Sequence, residues 1–156
     1  MKVSGDRYRY SKIEGDKAEI KFINLMKLKG HEVVKASPSD DMYKHIDYYI
    51  NSEGVDVKGN RHLNCIWLEI TNVLGNKGWL RGEAKYIVFD IIELNSFSVF
   101  KTVDLLKYVD NNITEKTEDK RDFNKFYTRS KWNKKDVLIK VRYSDIKNLE
   151  VQRLKY

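Results

Sequence analysis

The stretch YIVFDIIEL, residues 86–94, is the feature that most restricts the fold of this chain. Its apolar residues follow one another almost without a break, whereas a strand with one solvated face would alternate apolar and polar residues. The run follows the glycine-rich stretch GNKGWLRGEA, and its unbroken apolar character is typical of a β-strand that is buried on both faces. The sequence therefore predicts that this segment is the central strand of a sheet.

The size and composition predict one globular domain over residues 1–156. Of the 156 residues, 41% are hydrophobic and 12% aromatic, which is enough to form a single core. No apolar run approaches the roughly 20 residues that cross a bilayer, and the N-terminal segment is polar. The single cysteine, Cys65, allows neither a disulfide nor a cysteine-based zinc site within the chain. We expect a soluble cytoplasmic protein with no membrane partner.

The first half of the chain shows a helix followed by short strands. Apolar residues at helical spacing predict a helix over residues 16–29, with Asp16 as its N-cap and Gly30 at its end. HEVVKAS predicts a short strand and SPSDDM a loop. The β-rich segments HIDYYI, GVDVKG and CIWLEITN follow at short intervals and predict a three-stranded antiparallel core.

The second half adds fewer regular elements. Thr102 can cap a short helix through Val109, the polar segment NNITEKTEDKRDFNK predicts a surface excursion, and VLIKVR predicts a strand. The fold class is thus α/β, with a mixed or antiparallel central sheet of four to five strands flanked by helices and the first helix packed on one face.

The basic residues are concentrated in the last third of the chain. The net charge is +7, and residues 113–156 contain 13 Lys and Arg against 7 Asp and Glu, so this part supplies +6 of it. Aromatic residues lie between these cations, an arrangement that can follow a phosphate backbone and stack on bases, with Arg129 and Lys131 among the candidate contacts. The alternative is a solvated basic face over core aromatics.

One group of charged residues predicts chemistry. Asp56 and Lys58 are two residues apart in a strand and so project from the same face, while Val55 and Val57 point to the other. A turn through Asn51 to Gly54 would bring Asp47 onto the neighbouring strand. Carboxylate oxygens of this kind suit Mg²⁺ or Mn²⁺, which polarises water and phosphate oxygens, with Lys58 beside them. The residues therefore predict phosphodiester chemistry.

A helix with Glu19, a strand with Asp47, and Asp56-x-Lys58 on the next strand resemble the core of the PD-(D/E)XK nuclease superfamily. The resemblance covers about residues 16–92 and extends to small phage-encoded members and archaeal-type Holliday-junction resolvases. It implies a restriction-endonuclease-like core and metal-dependent hydrolysis of DNA without a covalent enzyme intermediate. The chain departs from the motif at Ile46, where the superfamily name has proline.

Further residues have both a functional and a structural interpretation. Glu19 is either catalytic or, with Asp16, half of a capping box. Glu69 is either a third metal-supporting carboxylate or a residue on a solvated strand face. The other candidates either contact nucleic acid or serve local structure: His45, placed on the same face as Asp47; Trp79, in a glycine-rich turn; and Arg81.

These observations favour a Mg²⁺-dependent DNA endonuclease, structure-selective in the manner of a Holliday-junction resolvase and acting as a homodimer. Its substrate would be branched or duplex DNA, and RNA remains open because the same metal site can cut either polymer. The alternative is a non-catalytic nucleic-acid-binding or inhibitory protein on the same fold. Phosphate-loop, dinucleotide-binding, serine-hydrolase and zinc-protease motifs are all missing from the sequence.

Overall fold

A long N-terminal helix, α1 (Ser4–Leu28), opens the computed structural model, which describes residues 4–156 and their side chains from residue 12 onward. The helix ends as predicted, because Gly30 adopts a left-handed φ of 81° and His31 N–H donates to the Met26 carbonyl. Its start is corrected: Asp16 lies in the middle of the helix and caps nothing. None of the helices within residues 4–156 has the length and apolar character needed to cross a membrane.

A six-stranded mixed sheet forms the centre of the molecule, and we call it the main sheet. Its strand order is β1-β2-β3-β5-β6-β10, with β3 and β5 parallel and every other neighbouring pair antiparallel. The strands are β1 (Val33–Lys35), β2 (Tyr48–Ile50), β3 (Glu53–Arg61), β5 (Tyr86–Ile91), β6 (Ser96–Lys101) and β10 (Glu150–Lys155).

The prediction of a central strand is confirmed by β5, which ends at Ile91, whereas the last predicted residues, Ile92–Leu94, form a 3-10 turn. β5 lies between β3 and β6, and five of its six residues are buried. Ile87 and Phe89 point to one side of the sheet, whereas Val88 points to the other, against α1. An unbroken apolar run was needed because both faces of this strand are covered.

A second sheet corrects the predicted three-stranded antiparallel core. β4 (Ile66–Thr71) does not pair with β3; it forms an edge of a four-stranded sheet of order β4-β9-β8-β7. The other strands are β7 (Lys116–Thr117), β8 (Phe126–Thr128) and β9 (Val137–Val141). The strand pairing shifts register between Lys58 and Arg61, and Asn60 is left-handed at φ 56°, so the chain bends away before β4 begins.

Two apolar clusters hold the layers together. Phe22 and Met26 of α1 pack with Val55, Val57 and other buried residues on one face of the main sheet. The second sheet covers the opposite face with the alternate residues of β4, namely Ile66, Leu68 and Ile70. The α/β class is confirmed, but within residues 4–156 ten strands in two sheets replace the expected single sheet of four to five.

The remaining elements refine the predicted order. The segment SPSDDM is not an irregular loop, because it leads into a π-helical turn, Asp40–Lys44. The helix α2 (Thr102–Asn112) runs three residues beyond Val109. The predicted surface excursion contains β7 and β8, and a short helix, α3 (Tyr143–Ile146), precedes β10.

The β2–β3 turn gives a stability test. Its two central residues, Asn51 and Ser52, have φ values of 48° and 69°, as a two-residue hairpin turn requires. Ser52→Gly should stabilise the protein by about 1 kcal/mol, because glycine adopts positive φ without a Cβ clash. Thermal unfolding checks this as an increase in Tm of about 2–4 °C.

The matched control is Ser39→Gly, because Ser39 is also an exposed serine but has an ordinary helical φ of −67°. There glycine should lower the Tm through backbone entropy. A decrease in Tm for Ser52→Gly would contradict the turn geometry.

Candidate active site

The β2–β3 hairpin brings Asp47 and Asp56 together. Tyr48 pairs with Val55, so the next residues outward, Asp47 and Asp56, are neighbours across the two strands. Asp47 is fixed by the backbone, since its N–H donates to the Val55 carbonyl at 2.9 Å and its Oδ2 accepts from Val57 N–H at 2.8 Å. The predicted convergence of these two aspartates is therefore present in the structure.

Lys58 completes the predicted trio. Its Nζ lies 2.9 Å from Asp56 Oδ1, as the i, i+2 spacing along β3 predicts. The Asp56 side chain is 2% exposed and that of Lys58 is 22% exposed, so the lysine reaches from the interior to solvent. Val55 and Val57 point to the opposite side and pack against α1.

One oxygen of Asp56 has no partner. Among the residues whose side chains are described, none donates a hydrogen bond to Asp56 Oδ2. The carboxyl group of Asp47 is within hydrogen-bonding reach of Asp56, but two carboxylates are both acceptors. A proton or a cation between them would satisfy both groups.

Glu19 joins these residues from α1, and we call Glu19, Asp47, Asp56 and Lys58 the carboxylate–lysine cluster. Burial and the nearby charge of Asp47 raise the pKa of Glu19 to about 7. The capping-box interpretation is wrong, because the helix begins at Ser4 and Glu19 lies well inside it. Glu19 is therefore available to act in the cluster.

Burial raises the pKa of all three carboxyl groups. For Asp47 the value is about 7, from burial and then from the charge of Asp56. Burial also raises the pKa of Asp56, with Lys58 acting in the opposite direction. Asp16 and Asp41 add further negative charge, since both raise the pKa of Glu19. The cluster is thus a locally acidic site on a chain of net charge +7.

Glu69 has a different environment. It lies on β4, where its Oε1 accepts from the Trp79 N–H at 3.3 Å. Burial lowers the pKa of the Arg61 guanidinium, and the negative charge of Glu69 acts in the opposite direction. Within residues 12–156, no three His, Cys, Asp or Glu side chains form a metal-ligand group. A third metal carboxylate at Glu69 therefore stays a prediction.

Trp79 is buried and forms part of the wall of the cluster. It is 7% exposed, with its ring centroid 4.9 Å from Lys58 Nζ. Gly78 allows this packing, because a Cβ there would stand 2.6 Å from the Glu69 carbonyl oxygen. The predicted nucleic-acid contact by Trp79 is corrected, since its ring is enclosed by protein. Arg81, at the end of the same turn, is exposed, so its contact with nucleic acid stays a prediction.

His45 does not share the face of Asp47 through strand alternation. It has a left-handed φ of 55° at the end of the π-helical turn, outside any strand. Its Nε2 lies 3.1 Å from the Lys77 carbonyl oxygen, so the ring links this turn to the loop after β4. The expectation of a shared face is wrong, and the contact favours a structural role.

The two basic candidates of the last third differ in availability. Arg129 forms an ion pair with Asp136, a buried residue, so its guanidinium is committed within the protein. The expectation that Arg129 is free to contact a phosphate group is therefore wrong. Lys131 is exposed beside Trp132, with Nζ 6.0 Å from the ring centroid. Lys131 remains a candidate contact.

Arg61 is a residue of the site that the sequence interpretation missed. Its Nε is buried without a hydrogen-bond partner among the described residues, and its charge interacts with that of Asp56. The predicted β-rich segment GVDVKG ends at Gly59, whereas β3 continues through Arg61. Only the break in register after Lys58 brings this side chain inside, and a local pattern does not encode that.

Comparison of the chain with protein-family models, with curated proteins and with solved structures gives no match. The functional assignment therefore depends on the geometry of the cluster and its surroundings.

The raised pKa values give a test of stability against pH. In the unfolded chain Asp47 and Glu19 ionise near 3.8 and 4.5, whereas in the folded chain both pKa values are about 7. Between these values the folded state binds more protons, so the free energy of unfolding decreases as the pH rises. Urea unfolding with a chelator at about pH 5 and about pH 8 should show lower stability at the higher pH.

Asp47→Asn isolates the contribution of Asp47, because the amide oxygen can still accept from Val57 N–H. We expect the difference between the two pH values to shrink in this variant. It should persist in Asp110→Asn, which changes an exposed aspartate of α2. Equal pH dependence in the wild type and Asp47→Asn would contradict the raised pKa of Asp47.

Proposed function

We propose that this protein is a divalent-metal-dependent nuclease that hydrolyses phosphodiester bonds of DNA at the carboxylate–lysine cluster. The observation that carries the proposal is the meeting of Asp47 and Asp56, with Lys58 Nζ 2.9 Å from one Asp56 oxygen and the other oxygen buried without a partner. Two facing carboxylates suit Mg²⁺ or Mn²⁺, which bind oxygen ligands and retain several waters.

The donor set fits such a cation. Asp56 Oδ2 lacks a hydrogen-bond donor, and the acidic surroundings favour positive charge at this point. Asp47 and Asp56 would hold the metal, which would supply a Lewis acid for water and for phosphate oxygens. Lys58 is held against the Trp79 ring and reaches solvent, so its ammonium can donate to a phosphoryl oxygen.

Glu19 is suited to proton transfer. With its pKa raised to about 7, it can take a proton from water near neutral pH and release it again. The roles divide between two aspartates that bind the metal, a lysine that contacts phosphate and a glutamate that exchanges protons.

The order of these elements supports membership of the PD-(D/E)XK nuclease superfamily. Glu19 lies on a helix, Asp47 beside β2 and Asp56-x-Lys58 on β3, and the parallel strand β5 pairs with β3 at the centre of the sheet. Selectivity for branched DNA, a homodimeric assembly and action in the cytoplasm belong to the same proposal. A two-fold assembly would let two sites reach both strands of a duplex.

A second function, binding of nucleic acid without catalysis, is favoured by one observation. Lys58 already lies against Asp56 and compensates its charge, and no third ligand completes a metal group within residues 12–156. In such a protein the ion pair would be structural. A measurement of metal binding distinguishes the nuclease from the non-catalytic binding protein.

Calorimetric titration with Mn²⁺ tests the proposed metal site. The wild type should bind the ion, whereas Asp47→Asn and Asp56→Asn should each weaken binding at least about tenfold because a charged ligand is lost. Asp110→Asn is the matched control and should bind as the wild type does. Failure of the wild type to bind Mn²⁺ would favour the non-catalytic function.

Cleavage assays with Mg²⁺ test the catalytic roles on four-way junction, forked and linear duplex DNA. Lys58→Ala should slow cleavage by about 10² or more while Mn²⁺ binding is retained, because the lysine acts on the phosphate and not on the metal. Lys27→Ala, an exposed lysine of α1, should cleave at the wild-type rate. Unchanged cleavage in Asp56→Asn would show that the assigned site is wrong.

A further inference from the structure

The four-stranded sheet has one face that points away from the main sheet. Ile66, Leu68 and Ile139 are fully buried on its inner face. The alternate residues on β4, β9 and β8, among them Trp67, Lys140 and Tyr127, are only partly buried. With two residues from adjoining segments they form a patch that we call the outer face, consisting of Trp67, Phe123, Tyr127, Lys140 and Arg142.

The outer face combines aromatic rings with cations. Trp67 and Tyr127 have ring centroids 5.6 Å apart. Lys140 pairs with Trp67 across the strands, and its Nζ lies 5.7 Å from the Trp67 ring and 4.3 Å from that of Phe123. The Arg142 guanidinium lies 3.6 Å from the centroid of Phe123. Both cations therefore pack against aromatic rings.

The acidic residues of the same region are mostly neutralised by other cations. Asp119 pairs with Arg121 at 2.8 Å, Asp136 with Arg129, and Lys125 lies near two further carboxylates. Within residues 12–156, no carboxylate lies within ion-pair distance of Lys140 or Arg142. The outer face therefore offers positive charge beside partly exposed rings, which is complementary to a polyanion that carries aromatic groups.

A chain of contacts along β4 and the loop after it links the outer face to the carboxylate–lysine cluster. Glu69 follows Trp67 by two residues on β4 and binds the Trp79 N–H at 3.3 Å, while the Trp79 ring lies 4.9 Å from Lys58 Nζ. Arg61 interacts electrostatically with both Asp56 and Glu69. β4 is an edge strand of its sheet, so Trp67 lies at the border of the outer face.

We propose that the outer face binds single-stranded nucleic acid, with bases stacked on Trp67 and phosphates against Lys140 and Arg142, and directs the strand towards the carboxylate–lysine cluster. Single strands expose the faces of their bases to aromatic side chains, whereas a duplex keeps those faces stacked inside. A protein surface rich in cations alone would suit a duplex equally well, so it is the aromatic rings that favour single strands over a duplex. Cutting of the strand at the cluster rests on the proposed function, but the binding surface does not.

Fluorescence anisotropy with EDTA present measures binding without cleavage. The probes are labelled oligothymidylate and oligouridylate of about 20 nucleotides and a duplex of similar length. Both single strands should bind more tightly than the duplex. Trp67→Ala and Lys140→Ala should each weaken single-strand binding at least about fivefold, and Lys140→Ala should lower the salt dependence by about 0.7 in the log–log slope.

Two variants serve as controls. Trp67→Phe keeps a stacking ring and should retain most of the affinity, which separates loss of stacking from loss of folding. Lys27→Ala removes an exposed lysine on α1, behind the main sheet, and should bind as the wild type does. A preference for one of the two single strands would identify DNA or RNA as the natural ligand.

The proposal is overturned if the duplex binds as tightly as the single strands, or if Lys140→Ala stays within about twofold of the wild type. Competition by polyglutamate as effective as by oligonucleotide would also overturn it, because the face would then recognise acidic protein. Binding as expected with no cleavage in Mg²⁺ would reject the nuclease and keep the surface. Cleavage in Mg²⁺ without the expected binding pattern would reject the binding surface and keep the nuclease.

Discussion

The buried carboxylate of Asp56 is the constraint on which the rest of the site depends. It is 1% exposed, on a strand that pairs with the central strand of the main sheet. A carboxylate in such surroundings costs several kcal/mol unless its charge is compensated, and Lys58 compensates only one of its two oxygens. The charge of Glu19 acts against the ionisation of Asp56, and the carboxyl group of Asp47 lies within hydrogen-bonding reach of it. An arrangement that lowers stability in this way is typical of a functional site.

The division of the molecule into two sheets determines what surrounds this carboxylate. After β3 the chain leaves the main sheet, and β4 starts a second sheet that covers the face carrying Asp56 and Lys58. The loop after β4 then returns Trp79 against Lys58, where Glu69 holds its backbone. The same strand exposes Trp67 on its other side. One change of sheet thus provides both the wall of the cluster and a surface next to it.

The sequence predicted the features that depend on local spacing. Alternation along β3 correctly paired Asp56 with Lys58, and the turn at Asn51 and Ser52 correctly brought Asp47 beside them. The central strand was also predicted, because burial on both faces leaves an unbroken apolar run. These predictions were correct because strand alternation and turn geometry act between residues that lie within about ten positions of each other in the sequence.

The features that were missed depend on distant partners. The pattern of CIWLEITN indicates a strand with one buried face, but it does not say which sheet the strand joins, and β4 joined the second. β6 was missed because Ser96 and Ser98 interrupt its apolar pattern although both are buried. The role of Glu19 was ambiguous because Asp16-x-x-Glu19 has capping-box spacing, and only the earlier start of α1 resolves it. These are tertiary effects that override local patterns.

A crystal structure of the protein soaked in Mn²⁺, with anomalous diffraction measured at the manganese edge, tests the central claim most directly. The account requires an anomalous peak within about 2.5 Å of carboxylate oxygens from both Asp47 and Asp56, with Lys58 Nζ moved away from the oxygen that the metal takes. No peak between the two aspartates, with Lys58 still paired to Asp56, would contradict it.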